Sequence, residues 1–324
     1  MLPEVLITLS YVVSQITYRW LPEPTIVLEK DHSILSEEAN LEGLSLSDWE
    51  EMIKLIEEVF IETAPYVTKF VAGDETKRKL LAKVVYQHLQ ACKKNGAQFI
   101  ICTDPRYPKL LRTIPDPPLA INVMGDSTIL NHTMVAVVGS RKASCTAIRE
   151  SFMIGKELSR HGYVVVSGGA YGCDIAAHQG VLKDSAERGI REVKAVVVFA
   201  GGLEKLYPRG NIATFKKMRE RSAVFLSERL WSMISRPMDF PVRNRIISGL
   251  SESVFIMQAG ENSGAGITAK LALDQGREVF TLKHEEDDIR AIGNQKLIDE
   301  GAIFFDSAAD FAKVLTNCAS RPIG

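Results

Sequence analysis

The chain has 324 residues, a hydrophobic content of 46%, a charged content of 24% and a formal net charge of −1 at pH 7. This composition is ordinary for a globular protein with room for one large α/β domain and a smaller one. The near-neutral charge excludes a generally basic coat, so any binding of nucleic acid must use a local patch.

The cysteines and the first residues restrict the compartment. The five cysteines are odd in number and include no C-x-x-C pair, which favours reduced thiols over a disulfide framework or a zinc site: Cys92, Cys102, Cys145, Cys173 and Cys318. The first 20 residues lack a basic start and a small-residue cleavage site, and no stretch is long and apolar enough to span a membrane. We therefore expect a cytoplasmic protein without a bound metal or membrane contact.

Residues 1–95 are predicted to form an N-terminal helical region without site chemistry. Its first residues are predicted to be helical. Ser47 and Glu50 have the spacing of a capping box, and apolar residues follow at helical spacing: Trp49, Met52, Ile53, Ile56 and Phe60. A second helix is predicted from Glu75 to Lys94, with Leu81, Val85 and Leu89 on its apolar face.

Residues 96–133 are predicted to connect this region to the main domain. Phe99–Cys102 and Ala120–Met124 have the composition of strands. Prolines at positions 105, 108, 115, 117 and 118 oppose a regular helix between them. We interpret the segment as a rigid linker.

Residues 134–324 alternate between apolar strands and helical patterns, which indicates repeated βαβ units. The predicted strands are Val135–Val138, Tyr163–Ser167, Ala195–Phe199, Ala223–Leu226, Val254–Gln258, Val279–Leu282 and Ala302–Phe305. The predicted fold is therefore an α/β, Rossmann-like, doubly wound and mostly parallel sheet with a smaller N-terminal helical region. In such sheets ligands bind beyond the carboxyl ends of the strands.

The turn after the first of these strands is the first candidate site. Gly139, Ser140 and Arg141 turn the chain, Lys142 follows, and a helix is predicted from Ala147 to His161. Backbone N–H groups at a helix N-terminus attract phosphate, and an arginine fork binds phosphate oxygens in a bidentate way. Taken alone, the turn could equally be only a sharp connection.

The loops at the other strand ends repeat this design with glycines and cations, which favours a polyanionic ligand. The further candidate contacts are Gly168, Gly169, Lys205, Arg209, Asn211, Arg243, Asn244, Arg245, Ser263 and Gly264. Tyr171 and Tyr207 are available for base stacking or for packing. Arg243 and Arg245 could instead be structural ion-paired groups. Asp174 is expected to cap the following helix, and His178 to be a packed residue.

The motifs of residues 99–305, taken in order, resemble the DNA-processing protein A family, also called DprA or Smf. They include DPRYPKLL, VAVVGSRKAS, SGGAYGCDIAAH, GGLEKLYPRGN, FPVRNRIISGLS and SGAGITA. The resemblance implies a domain that binds single-stranded DNA in a basic pocket, forms a homodimer and hands DNA to a RecA-type recombinase in natural transformation. It implies no established catalytic activity and no cofactor. The family's G-S-R turn falls on Gly139–Arg141, the basic residue of its Y-P-[KR]-x-N loop on Arg209, and its R-N-R segment on Arg243–Arg245.

The chain also departs from the family pattern. Family members usually have a small Pro-Gly-containing loop where Glu285–Asp288 places four acids, which would repel phosphate. Because the sequence ends near Gly324, we expect the C-terminal winged-helix domain of many members to be absent.

An enzyme is the main alternative. A nucleotide-binding or nucleotide-hydrolysing protein of the related lysine-decarboxylase-like superfamily would use the same glycine loops. Its P-G-G-x-G-T-x-x-E motif supplies a catalytic glutamate, and the nearest match here, SGAGITAKLA, has none.

The later part of the α/β domain, after Ser253, is predicted to form the homodimer interface. Ala302–Phe305 reads AIFF, and so apolar an edge strand would invite pairing with a partner.

Overall fold

We analysed a computed structural model of the chain, which describes residues 8, 9, 11, 12, 15, 45–50, 53, 74–285 and 287–310. Most of the expected first helix, together with Met52, Ile56, Phe60 and Cys318, lies outside the described residues. No helix in the described ranges is long and apolar enough to cross a membrane.

Nine strands form one sheet within these ranges. They are β1 (Ala97–Ile101), β2 (Ala120–Met124), β3 (Met134–Val138), β4 (Val164–Ser167), β5 (Ala195–Phe199), β6 (Val224–Ser227), β7 (Ser253–Ile256), β8 (Glu278–Leu282) and β9 (Ile303–Phe305). Their order is β1-β2-β6-β5-β4-β3-β7-β8-β9. Strands β3 to β9 run parallel, whereas β1 and β2 add an antiparallel edge.

The predicted fold class is confirmed. Each predicted strand of the main domain is present, with its ends displaced by no more than two residues. The segment interpreted as a linker contributes β1 and β2 to the same sheet, and Asn122 of β2 pairs with Ser227 of β6. A one-turn helix, α2 (Lys109–Arg112), also fits between the prolines, because Pro108 precedes it and no proline lies inside it.

Helices cover both faces of the sheet. One face carries α3 (Cys145–Arg160), α4 (Cys173–Glu187) and α5 (Ile212–Arg219), and the other carries α6 (Asp239–Leu250), α7 (Gly264–Asp274) and α8 (Ile292–Asp299). Successive residues of a strand point to opposite faces. Accordingly, Val135 and Val137 pack in one buried cluster, whereas Ala136 and Val138 pack in the other. This two-sided burial explains the continuous apolar runs.

The N-terminal helical region packs beside the antiparallel edge. Helix α1 spans Glu75–Lys94 as predicted, with the Asp74 side chain accepting from the Lys77 N–H at its start. Four of its buried residues join Trp49 and Ile53 in a third apolar cluster with Phe99 of β1: Leu81, Ala82, Val85 and Leu89. We call this third cluster the N-terminal cluster.

The predicted capping box at Ser47 and Glu50 is wrong by two residues. The Asp48 carboxylate accepts from the Ser45 N–H at 2.7 Å, and the Ser45 hydroxyl accepts from the Asp48 N–H at 3.2 Å. The same reciprocal pattern therefore begins at Ser45, because a short aspartate fulfils the role expected of the glutamate.

Candidate nucleic-acid interface

A cavity of about 520 Å³ lies where the strand order reverses, between the carboxyl ends of β3 and β7. This topological switch point is where open α/β sheets bind ligands. The turn after β3, the first half of α6 and the start of α7 form its walls. The predicted contacts that line it are Gly139, Ser140, Arg141, Lys142, Arg243, Asn244, Ser263 and Gly264.

Arg141 is exposed at the mouth of this cavity and is supported by aromatic rings. Its guanidinium carbon lies 4.7 Å from the centroid of the Phe240 ring, within the range of a cation–π contact. The Phe240 ring in turn meets the Tyr207 ring edge to face at 5.7 Å between centroids. These three side chains form a row, which we call the aromatic row. Phe240 was not among the predicted site residues, although it begins the FPVRNRIISGLS motif.

The Asp174 carboxylate links the glycine turn after β3 to the glycine turn after β4. Its carboxylate accepts from the N–H groups of Gly139 at 3.3 Å, Gly168 at 3.1 Å and Ala170 at 3.4 Å. The expectation that Asp174 caps α4 is wrong, since the helix begins at Cys173 and Gly172 occupies the cap position. The N–H groups of Gly139 and Gly168 are thus bonded to the protein's own carboxylate.

Arg243 lies opposite Asp174 and completes the support of these turns. Its guanidinium donates to the carbonyl oxygens of Gly168, at 2.9 Å, and Val198, and its side chain is buried. Burial lowers the pKa of Arg243 to about 10, against the opposing charge of Asp174, and the positive charge of Arg141 adds to this lowering. Two cations therefore act on the same cavity. Burial likewise raises the pKa of Asp174, although the charge of Arg243 opposes the shift.

Arg245 points away from the cavity. It binds Glu228 at 2.5 Å and Asp116 at 3.0 Å, and does not line the site. Arg243–Arg245, predicted to lie in a strand-end loop, are already part of α6. Residues two apart on a helix are separated by about 200° around its axis, so Arg243 and Arg245 cannot face the same ligand. We therefore leave Arg245 out of the interface.

The turn after β5 brings a second pair of exposed cations, Lys205 and Arg209. A small cleft lined by Lys205, Tyr207, Phe240 and Arg243 joins this turn to the aromatic row. Asn211 is buried, and its amide donates to the Gly169 carbonyl oxygen at 2.9 Å.

Tyr171 and the start of α7 are held by similar ties. The exposed Tyr171 accepts from the Gly210 N–H at 3.2 Å. Ser263 caps α7 by accepting from the Gly266 N–H, and Asn244 donates to the Gly264 carbonyl oxygen at 3.2 Å. Asn211, Asn244 and the glycines thus shape the site, and the exposed cations are left to face solvent.

A family model described as DNA recombination-mediator protein A matches residues 98–316. The chain belongs to this family. DNA processing protein DprA of Bacillus subtilis is 35% identical over 261 residues, covering 78% of this chain and 85% of the relative. A Smf protein of Synechocystis is 34% identical, covering 67% of this chain and 54% of the relative.

Solved structures of family members share the fold. DNA processing protein A from Streptococcus pneumoniae has a TM-score of 0.62 at 27% identity, covering 84% of this chain and 94% of that one. The protein from Helicobacter pylori has a TM-score of 0.60 at 26% identity, covering 68% and 96%, and its structure was described with a single-stranded DNA binding mode.

The described acidic residues Glu285, Asp287 and Asp288 lie in a loop next to the start of α3. The Gln258 side chain donates to Asp288 at 3.1 Å and accepts from the Ser144 N–H at 2.9 Å, just before that helix. Asp288 is also bound by Arg290 at 2.8 Å, whereas Glu285 and Asp287 are exposed. The acidic charge is therefore only partly neutralised at this side of the site.

His178, singled out in the sequence, is a packed residue. It is fully buried in α4, and burial alone lowers its pKa to about 3. It is therefore neutral and takes no part in the cationic surface.

Proposed function

We propose that this protein binds single-stranded DNA at the carboxyl edge of its sheet, without strong sequence preference. The observation that carries the proposal is the aromatic row with Arg141 at the mouth of the switch-point cavity. Exposed cations beside exposed rings are the features by which proteins bind single strands: the cations contact phosphates and the rings stack on bases. The Helicobacter pylori relative, whose structure was described with a single-stranded DNA binding mode, supports the same ligand.

The contacts divide by chemistry. Arg141, Lys142, Lys205 and Arg209 are exposed and bind phosphate oxygens. Tyr171 and Tyr207, which are 44% and 48% exposed, offer faces for stacked bases. Ser140, Ser263 and Gly264 line the cavity and contact the strand there, whereas Gly168, Gly169, Asn211, Arg243 and Asn244 hold the binding turns in place.

Membership of the recombination-mediator family extends the proposal to a cellular role. The protein protects single-stranded DNA and loads a RecA-type recombinase on it, in natural transformation or another recombination process, and works in the cytoplasm. It acts by binding and assembly, without catalysis of its own.

A homodimer fits this role. Strand β9 is an edge strand of the sheet, and Phe304 on it is 48% exposed. Such an edge is prone to pair with a second copy. Two sites on one strand would raise the effective concentration and the avidity for DNA. Light scattering at micromolar concentration should give twice the 35.9 kDa chain mass. A single-chain mass, unchanged by a long oligonucleotide, would remove this part of the proposal.

The cavity is also large enough for a single nucleotide. Its volume is therefore consistent with the alternative, a nucleotide-binding or nucleotide-hydrolysing protein. The SGAGITA segment, however, begins α7 without a carboxylate, and the acid near the cavity, Asp174, already accepts three N–H groups. A hydrolase of this kind would need a carboxylate that lines the cavity and is not already bonded to backbone N–H groups.

The deciding experiment compares three ligands at equal salt. Fluorescence anisotropy should give clear binding of labelled oligo-dT, weaker binding of a duplex of the same length and little binding of a mononucleotide. Equal affinity for duplex and single strand would contradict the proposal. Release of free base from a mononucleotide would favour the enzymatic alternative.

A further inference from the structure

Residues 228–238 connect β6 to α6, and we call them the wall segment because Ser235 and Pro237 form one side of the site. The wall segment also holds the turn that contains Lys205, through two backbone hydrogen bonds. The carbonyl oxygen of Trp231 accepts from the Glu204 N–H at 3.1 Å, and that of Met233 accepts from the Gly202 N–H at 2.7 Å. The position of the Lys205 turn therefore depends on the position of the wall segment.

The start of the wall segment rests on the N-terminal helical region and on β2. His88 of α1 accepts from the Trp231 N–H through Nδ1, at 3.1 Å. The Asn122 amide donates to the carbonyl oxygen of Arg229 at 2.8 Å. Leu230, between these contacts, packs against the N-terminal cluster. Three successive residues of the wall segment are thus held from the same side.

The same contacts reach helix α6. The Arg229 guanidinium donates to Gln15 of the N-terminal region at 3.1 Å and to Asp239 at 3.0 Å. Asp239 is the first residue of α6 and is buried. One guanidinium therefore joins the N-terminal region to the helix that carries Phe240 and Arg243.

His88 is suited to holding the wall segment because its Nδ1 atom is a permanent hydrogen-bond acceptor. A backbone N–H can only donate, so Nδ1 must be unprotonated and the ring proton must lie on Nε2. Burial lowers the pKa of His88 to about 4, so this form persists at neutral pH. Its side chain is 4% exposed and lies edge-on to Phe99 at 5.3 Å between ring centroids, which fixes the orientation of the ring.

We propose that His88 is a positioning residue of the DNA site, which sets the pose of the Lys205 turn through its hydrogen bond to Trp231. This inference rests on the proposed function and assigns this residue a role that the sequence did not suggest. His88 does not contact DNA; it acts through the wall segment.

A double-mutant cycle with Lys205→Ala tests the proposal. His88→Ala should weaken oligo-dT binding by about 3- to 10-fold, the equivalent of one hydrogen bond. In the Lys205→Ala background the same change should cost less than about twofold, because the group that it positions is gone. His88→Asn should restore most of the affinity, since its carbonyl oxygen can take the place of Nδ1.

Leu81→Ala is the matched control for lost packing. Leu81 is fully buried in the same helix and belongs to the N-terminal cluster, but no hydrogen bond joins it to the wall segment, so its truncation should lower stability without weakening DNA binding. Equal losses for His88→Ala in both backgrounds, or an equal loss for Leu81→Ala, would overturn the proposal. If His88→Ala does not fold, His88→Asn and His88→Gln replace it, because glutamine places its carbonyl nearer Nε2 and should not restore the contact.

Amide hydrogen exchange gives a readout without DNA. Exchange at Gly202 and Glu204 should accelerate in His88→Ala relative to Leu81→Ala at matched stability, and unchanged protection there would contradict the positioning role. If the wild-type protein bound no DNA, the proposed function would fail, and the exchange data alone would still decide whether His88 holds the turn.

Discussion

Replacing Asp174 with asparagine is the sharpest perturbation of the binding turns. The carboxylate accepts from three backbone N–H groups, on the turns after β3 and β4, and it faces the charge of Arg243. Asparagine has nearly the same shape. It keeps one oxygen, however, and presents an NH₂ group that cannot accept from Gly168 or Ala170.

The magnitude follows from these contacts. A hydrogen bond to a charged group contributes about 1.5–3 kcal/mol, and a buried donor left without an acceptor costs a comparable amount. The charge of Asp174 also opposes the effect of burial on Arg243, so its removal adds to this cost. We expect Asp174→Asn to lower the free energy of unfolding by about 3 kcal/mol or more. Oligo-dT binding should weaken about tenfold, because the turn that carries Arg141 loses an anchor.

Urea unfolding and fluorescence anisotropy measure the two effects separately. Asp184→Asn is the matched control, since Asp184 is buried in the same helix and accepts from the Ser159 hydroxyl at 2.8 Å, but does not line the site. It should reduce stability and leave the affinity for DNA unchanged. Equal affinity losses in both variants, or none in Asp174→Asn, would refute the assignment of Asp174 as the support of the turns.

Three further predictions address the edge of the site and the core. Phe240→Leu should weaken oligo-dT binding about two- to fivefold, since the cation–π contact that orients Arg141 is lost; unchanged affinity would remove the aromatic row from the account. Neutralising Glu285 and Asp287 to glutamine and asparagine should tighten binding at low salt and have little effect at high salt, and a titration at both salts that shows no change would contradict phosphate passing near this loop. His178 has a folded-state pKa of about 3, below the value of about 6.5 in unfolded chains. The free energy of unfolding should therefore fall as the pH drops below about 6.5, by up to about 1.4 kcal/mol per pH unit. His178→Leu should flatten this slope in urea unfolding at pH 5 to 7, and an identical slope would refute the burial argument.

The strands and the glycine turns at their carboxyl ends could be predicted because their signals are local. Buried parallel strands read as apolar runs, as Met134–Val138 does, and the glycine turns follow them directly. The exposed cations at these turns were found for the same reason. Helix α1 was predicted with its observed ends from its apolar period.

The predictions that were wrong or absent concern contacts between residues that are brought together only by the fold. Asp174 looks like a helix cap in sequence, and only the folded turns place three N–H groups around it. Pro241 lies in the first turn of α6, so its segment was interpreted as a loop before the helix. Arg243 and Arg245 were therefore both expected to contact the ligand. Phe240 has a role only because Arg141, in the turn after β3, lies over its ring.

The salt dependence of oligo-dT binding tests the central claim most directly. With Arg141, Lys142, Lys205 and Arg209 each contacting a phosphate, the logarithm of the association constant should fall against the logarithm of salt concentration with a slope of about −3 on a short oligo-dT. Arg141→Ala should reduce this slope to about −2, because one phosphate contact is lost. A wild-type slope near zero, or an Arg141→Ala slope equal to that of the wild type, would contradict the account.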